Sequence, residues 1–237
     1  MAEPPTGAGC TASAASILPM CNRYVSPVAG DIERYWHVGG RHPWRGAEVF
    51  PRAPGPFVRA ARDGDAGREL VVGSWGLVPW FAKSAKLSYS TNNARFEEIT
   101  AKASYKHSWA HGKRCIIPAL SFDEPCWESG RNVWWRFRRV DGAPWALAGL
   151  WNTWTDKTTG EIVESYTMLT LNADAHPLMR RMHKPDPRLG PDQQDKRSVV
   201  ALELADVEAW LHAPPAQAAA LVRLPAADLF DASGATA

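Results

Sequence analysis

The chain has 237 residues, 45% of them hydrophobic and 22% charged, with a formal net charge of +2. That length and apolar share suffice for one domain with a substantial core, and so small a net charge leaves any nucleic-acid contact to a local basic patch. Cys10, Cys21, Cys115 and Cys126 form no CxxC pair, which argues against a disulfide framework and favours a reducing, cytoplasmic setting, and no stretch approaches the roughly 18 apolar residues of a membrane helix.

Residues 1–19 are rich in Ala, Pro, Ser and Gly and hold neither Lys nor Arg. They lack the charged and apolar regions of a secretory signal and are expected to be a disordered or artefactual leader, with a single domain over 20–237. Met20-Cys21-Asn22-Arg23-Tyr24 follows. If translation starts at Met20, or if the leader is cut away, Cys21 becomes the first residue and carries a thiol and a primary amine on adjacent carbons. Such a 1,2-aminothiol traps an aldehyde as a five-membered thiazolidine, which no internal cysteine can do.

Arg41 to Gly67 is dense in Pro, Gly and Arg and reads as an irregular surface excursion. Leu70 to Pro79 reads as a strand breaking at Gly76 and Pro79, and Ala94 to Tyr105 as a helix. Arg114 to Pro118, Val133 to Arg138, Trp145 to Trp151 and Tyr166 to Leu171 read as strands. Pro177 to Met182 is expected to make one or two helical turns, and Asp206 to cap a helix that Pro214 and Pro215 stop. Strands crowded in the middle, without a βαβ rhythm, predict an α+β domain with a β-rich, barrel-like core sheet and peripheral helices.

The runs Met20 to Tyr24, Trp75 to Pro79, Asn93 to Glu97, Arg114 to Ala119 with Phe122-Asp123-Glu124, Ala148 to Trp151, and His183-Lys184-Pro185 stand in a fixed order. In this they resemble the SOS-response-associated peptidases, also called abasic-site processing proteins, over Met20 to about Leu211. The resemblance implies a compact α+β fold with a channel for single-stranded DNA and an N-terminal cysteine at its floor. It also implies covalent capture: the ring-opened sugar of an abasic site presents an aldehyde, the amine of Cys21 forms a Schiff base, and sulfur closes the ring, shielding the lesion. The same site is expected to cleave the leader from Cys21. An α-amino group titrates near 7.7 to 8.0 and a free thiol near 8.5, so the amine should attack first.

The resemblance gives Cys21, Glu124, His183 and Asn93 catalytic parts. Glu124 shuttles protons, His183 assists at the sugar oxygen, and the Asn93 amide orients the amine. The family's Phe-Tyr-Glu-Trp is Phe122-Asp123-Glu124-Pro125 here. Arg23 and Arg95 are expected to hold phosphates, and Trp75 and Pro79, the ends of the Trp-Gly-Leu-Val-Pro turn, to abut DNA, with Trp75 as an exposed wedge. Lys83, Lys86, Lys102, Lys106, Lys113, Arg180 and Arg181 are further channel candidates. Cys115 reads as inert packing, His176 as a helix-entry residue, and a zinc site from Cys21, Cys115, Cys126 and His183 lacks the usual close ligand pairs. The expected partner is abasic single-stranded DNA met by a monomer at the nucleoid or replication fork, with no membrane, metal or small-molecule cofactor. Two alternatives stay open: a cysteine peptidase acting in trans, and a noncovalent single-stranded DNA-binding module.

Overall fold

The computed structural model describes residues 21–38, 43–62 and 67–234. The expected leader and Met20 lie outside the described residues. Among the described residues, thirteen strands follow one another: β1 Arg23–Ser26, β2 Ala47–Val49, β3 Pro54–Ala60, β4 Arg68–Trp75, β5 Asn93–Arg95, β6 Arg114–Ala119, β7 Ser121–Cys126, β8 Val133–Arg139, β9 Trp145–Thr155, β10 Ile162–Asn172, β11 Arg197–Val199, β12 Ala201–Leu202 and β13 Phe230–Gly234. The helices are α1 Ala29–Trp36, α2 Ala103–Ala110, α3 Val207–His212 and α4 Pro215–Ala219.

Strands β10, β4, β3, β6 and β9 pair in that order, and β9 pairs back onto β10, closing a five-stranded barrel. The contact between β10 and β4 is parallel and short, Ser165 opposite Ser74 and Tyr166 opposite Trp75. A second sheet, ordered β13-β8-β7-β1-β2, lies beside the barrel. The chain passes from one to the other in a single residue, Leu120, whose N–H donates to the Val25 carbonyl at 2.7 Å. Because β6 belongs to the barrel and β7 to the second sheet, Glu124 is delivered directly to their junction.

Two apolar clusters follow from this arrangement. Tyr24, Phe57, Trp75, Phe122, Phe137, Trp145 and Tyr166 are buried in one that joins both sheets. Ile32, Trp36, Trp109, Leu150 and Trp210 are buried in the other, where helices cover the barrel. The expected strands are all present, and the α+β, barrel-cored architecture is the one read from the sequence.

Three local expectations are corrected. The Arg41 to Gly67 excursion contains β2 and β3, the latter a barrel strand. Its prolines lie at Pro54 and Pro56, whereas the pairing with β6 is confined to Val58 and Arg59, so the N–H-deficient half of the strand has a ladder on one side only. Ala94 to Tyr105 is not one helix. Asn93–Arg95 adds to β10, a 3-10 turn covers Phe96–Glu98, and helix begins at Ala103. Tertiary pairing with β10 overrides the helical propensity of this segment. Asp206 makes no side-chain cap; its carboxylate takes the Arg223 guanidinium, at 2.6 Å.

The barrel permits little added volume where β9, β6 and β10 meet. A methyl group on Gly149 would stand 2.6 Å from the Thr167 carbonyl oxygen and 3.0 Å from the Cys115 sulfur. Gly149→Ala is therefore expected to destabilise the fold by about 1–3 kcal/mol in urea unfolding. Gly30→Ala, in α1 with nothing within 4 Å of the new methyl, should be neutral or stabilising. Equal effects from the two substitutions would contradict this packing.

Candidate functional site

The antiparallel register of β1 with β7, Arg23 opposite Asp123, carries Cys21 along the edge of β7 toward Glu124. The Cys21 backbone N–H donates to the Glu124 carboxyl. On the other side of the residue, the Asn93 amide donates to the Cys21 carbonyl at 2.9 Å. The Cys21 thiol is fully buried and lies 3.6 Å from the Arg23 carbonyl. The nitrogen, carbonyl and sulfur of one residue are thus each held by a different group.

Glu124 is 1% exposed, and its Oε2 lies 2.9 Å from Nε2 of His183, itself 3% exposed. A neutral imidazole that donates Nε2–H to the ionised carboxylate has its lone pair on Nδ1. Nδ1 of His183 and Oδ1 of Asn93 are both buried without a protein partner. Two unpartnered polar atoms, on residues that contact Cys21 and Glu124, leave hydrogen-bonding capacity unused here.

Burial raises the pKa of Glu124, against the opposing influence of His183 and of the Cys21 N–H. Burial also pushes the Cys21 thiol up, and the neighbouring Glu124 carboxylate pushes it further. The thiol is therefore kept protonated, unlike the activated thiolate of a cysteine peptidase. A carboxyl with a raised pKa holds its proton to higher pH than a free one and can both take and return it.

His183 sits in the left-handed region, φ +63°, uncommon for a residue with a side chain. Its N–H donates to the Pro125 carbonyl at 2.6 Å, one residue beyond Glu124. The residue lines a cleft of about 530 Å³ together with Trp127, Arg180, Pro185, Leu189 and Lys196. A second cleft, of about 450 Å³, is walled by Arg52, Trp75, Lys86, Tyr89, Asn92 and Trp154. Its wall residue Asn92 has its side-chain amide 3.5 Å from the side chain of Asn22, the neighbour of Cys21.

The structure brings Cys21, Asn93, Glu124 and His183 together, and it differs from the sequence reading at Trp75. Trp75 is fully buried, packs edge-on against Tyr24 at 5.2 Å and donates its indole N–H to the Asn92 carbonyl at 2.8 Å. It is a core residue, not an exposed wedge. Pro79 is buried as well. The next two residues are exposed aromatics, Trp80 at 61% and Phe81 at 43%. Their signal was the adjacent Trp-Phe pair directly after the proline that closes the Trp-Gly-Leu-Val-Pro run. His176 is structural: its Nδ1 accepts from the Leu178 and Met179 N–H groups, and Nε2 meets the Pro225 carbonyl.

The arginines are partly engaged. Arg23 pairs with buried Asp123, which also takes two bonds from Arg136 at 2.9 and 3.0 Å. Arg95 shares β5 with Asn93 and pairs with Asp195. Arg181 pairs with Glu128 and Lys102 with Glu98. Among the described residues, no three His, Cys, Asp or Glu side chains gather to hold a metal, and no helix is long and apolar enough to cross a membrane.

Solved structures share this barrel-and-sheet arrangement. A protein from Bordetella bronchiseptica superposes with a TM-score of 0.79 at 33% identity, covering 92% of this chain and all of the other. One from Bacteroides thetaiotaomicron gives 0.70 at 22% identity, covering 90% and 91%. The fold and its cysteine-centred site define the class whose sequence profile, SOS response associated peptidase (SRAP), matches residues 20–233, and the chain belongs to this family. Among named relatives, it is 33% identical to the abasic site processing protein YoqW of Bacillus subtilis, over 70% of each chain. It is 30% identical to YoaM of the same organism, covering 65% of this chain, and 30% identical to HMCES of Xenopus tropicalis, covering 61%. The matches span 64% of YoaM and 48% of HMCES, so this chain aligns with about half of the latter.

The raised pKa of Glu124 has a consequence for stability. A carboxyl that binds its proton more readily folded than unfolded contributes stability at low pH, and loses it as pH rises through the raised folded value. Glu124→Gln removes the burden of a buried negative charge. Its melting temperature should exceed wild type at pH 8, with the gap closing toward pH 4. A variant less stable than wild type at pH 8, with no such convergence, would contradict a desolvation-dominated carboxyl.

Proposed function

We propose that the chain processes abasic sites in single-stranded DNA by forming a covalent thiazolidine through Cys21. The observation that carries this reading is the contact of the Cys21 nitrogen with a buried carboxyl, Glu124, that is itself 2.9 Å from His183 Nε2. The family membership and the printed names of the relatives support the same substrate.

In the reaction, the Cys21 amine must be free, so the bond to the preceding residue is first hydrolysed, and Glu124 is placed to take a proton from water attacking it. The neutral amine then adds to the aldehyde carbon of the opened deoxyribose. The carbinolamine loses its hydroxyl as water, with the proton supplied by Glu124, and an imine forms. Sulfur adds to the imine carbon, the thiol proton passes to nitrogen, and the five-membered ring closes. The condensation releases one water, the preceding hydrolysis consumes one, and no electrons are exchanged. The protonated thiol suits this order, since sulfur is needed only after the amine has reacted. His183, with an unpartnered Nδ1 at the cleft wall, is placed to serve the sugar oxygen. Asn93 fixes the backbone of the nucleophilic residue.

Unpaired bases are assigned to Trp80 and Phe81, the exposed rings beyond the Leu77–Pro79 turn. Stacking is worth roughly 1–3 kcal/mol per base. Arg23 and Arg95 hold phosphates by exchanging the carboxylates of Asp123 and Asp195.

Incubation with a single-stranded oligonucleotide carrying one abasic site should give a heat-stable, protein-sized gel shift that Cys21→Ser abolishes. A full adduct from Cys21→Ser without borohydride would end the thiazolidine assignment. Trp80→Ala should weaken binding of an undamaged single strand about tenfold by fluorescence anisotropy, with little change in stability. Trp75→Ala should do the reverse, lowering the melting temperature through loss of a core ring.

A further inference from the structure

Lys196 is a buried cation that the chemistry above leaves unused. Its side chain lies in a residue only 6% exposed, and Nζ donates to the backbone carbonyl of His183 at 2.6 Å. Among the described residues, no carboxylate stands within ion-pair distance of that ammonium. Desolvation lowers its pKa against the opposing charge of Asp174, whose carboxylate takes the Lys196 backbone N–H and not the ammonium.

The geometry points to Lys196 as the positioning residue for His183, fixing the imidazole against Glu124 by holding the histidine's own peptide. The anchor is rigid at its base. The Lys196 N–H donates to the Asp174 carboxylate at 2.8 Å, and the Lys196 carbonyl accepts from the Ala173 N–H at 2.6 Å. From that fixed point the four-carbon stem reaches the His183 carbonyl. The opposite end of the same residue is tied to Pro125, so His183 is clamped at both its N–H and its C=O. The clamp matters because His183 has φ +63°, a conformation that a non-glycine residue keeps only when its surroundings over-determine it. Without the ammonium, a buried carbonyl loses its partner, and the backbone gains reason to relax toward the right-handed or extended regions. Either change swings the imidazole away from Glu124 Oε2.

This inference rests on the reading of Glu124 and His183 as the proton-transfer pair, but the positioning is measurable without DNA. Long-range proton–nitrogen correlation spectra at one pH report the hydrogen bonding and tautomer of each imidazole. Lys196→Met keeps the apolar stem and deletes the donor. It should move the Nε2 and Nδ1 resonances of His183 while those of buried His176, held by Pro225, stay in place. Unmoved His183 resonances would overturn the assignment whether or not the protein forms an adduct. If Lys196→Met fails to fold, Lys196→Gln, whose shorter side chain cannot span the gap, serves the same comparison.

The kinetic arm uses single-turnover adduct formation on the abasic oligonucleotide. Lys196→Met should lower the plateau rate about tenfold and leave the half-saturating DNA concentration within twofold of wild type. Lys196→Arg, which retains a donor, should recover most of the rate. In a His183→Gln background, Lys196→Met should add less than a twofold further loss, because both changes remove one function. Effects that multiply, or a raised half-saturation with an unchanged plateau, would assign Lys196 to direct contact with the strand and overturn positioning. A wild-type chain that forms no adduct would refute the proposed function, leaving the imidazole spectra to decide on Lys196.

Discussion

The contact between Glu124 and His183 organises the molecule around it. Two titratable side chains, each nearly sealed from water, are held 2.9 Å apart at the junction of a closed barrel and a second sheet. Removing either partner would strand the other in a medium that solvates it poorly. The one-residue crossing at Leu120 sets Glu124, the 3-10 turn Met179–Arg181 brings the chain round to His183, and β1 lays Cys21 alongside. The apolar cluster shared by both sheets keeps these segments from moving independently.

Charge at this centre is governed by burial more than by pairing. Desolvation comes first among the influences on both Glu124 and the Cys21 thiol, and it raises each. The outcome is a proton-rich site: a carboxyl slow to ionise and a sulfur slow to become thiolate. Under the proposed chemistry, that suits stepwise condensation, in which an amine leads and sulfur follows, better than direct attack by sulfur on a peptide. Backbone hydrogen bonds do the aiming. Asn93 holds the Cys21 carbonyl, while Pro125 and Lys196 hold the two ends of His183.

Much of the fold was legible because its strands advertise themselves. Val133 to Arg139 and Ile162 to Asn172 carry β-branched and aromatic residues that find a pleated surface whatever the topology. The Pro54–Ala60 strand was hidden because its prolines read as punctuation, and only the one-sided ladder makes them tolerable. The segment from Ala94 looked helical because nothing local reveals that β10 offers it an edge. Within the site, motif order brought Cys21, Asn93, Glu124 and His183 into one list, and the fold brings them into one place. Trp75 shows the limit of that reasoning. A motif tryptophan at the start of a turn carries no mark of which way it faces, and burial against Tyr24 belongs to the tertiary structure. Lys196 left no trace in sequence for the same reason, since its partner is a backbone carbonyl rather than a side chain.

The pairing of Arg23 with Asp123 bears on how long a strand would remain bound. A phosphate reaching that guanidinium finds it already matched to an internal anion, which also engages Arg136. Binding there swaps one negative partner for another, and the net attraction is the small difference between them. Under the proposed chemistry, an intact strand would slip off readily, and residence would be decided by whether a bond forms at Cys21. The internal carboxylate would then act as a filter, weakening the grip on undamaged backbone so that damage alone is retained.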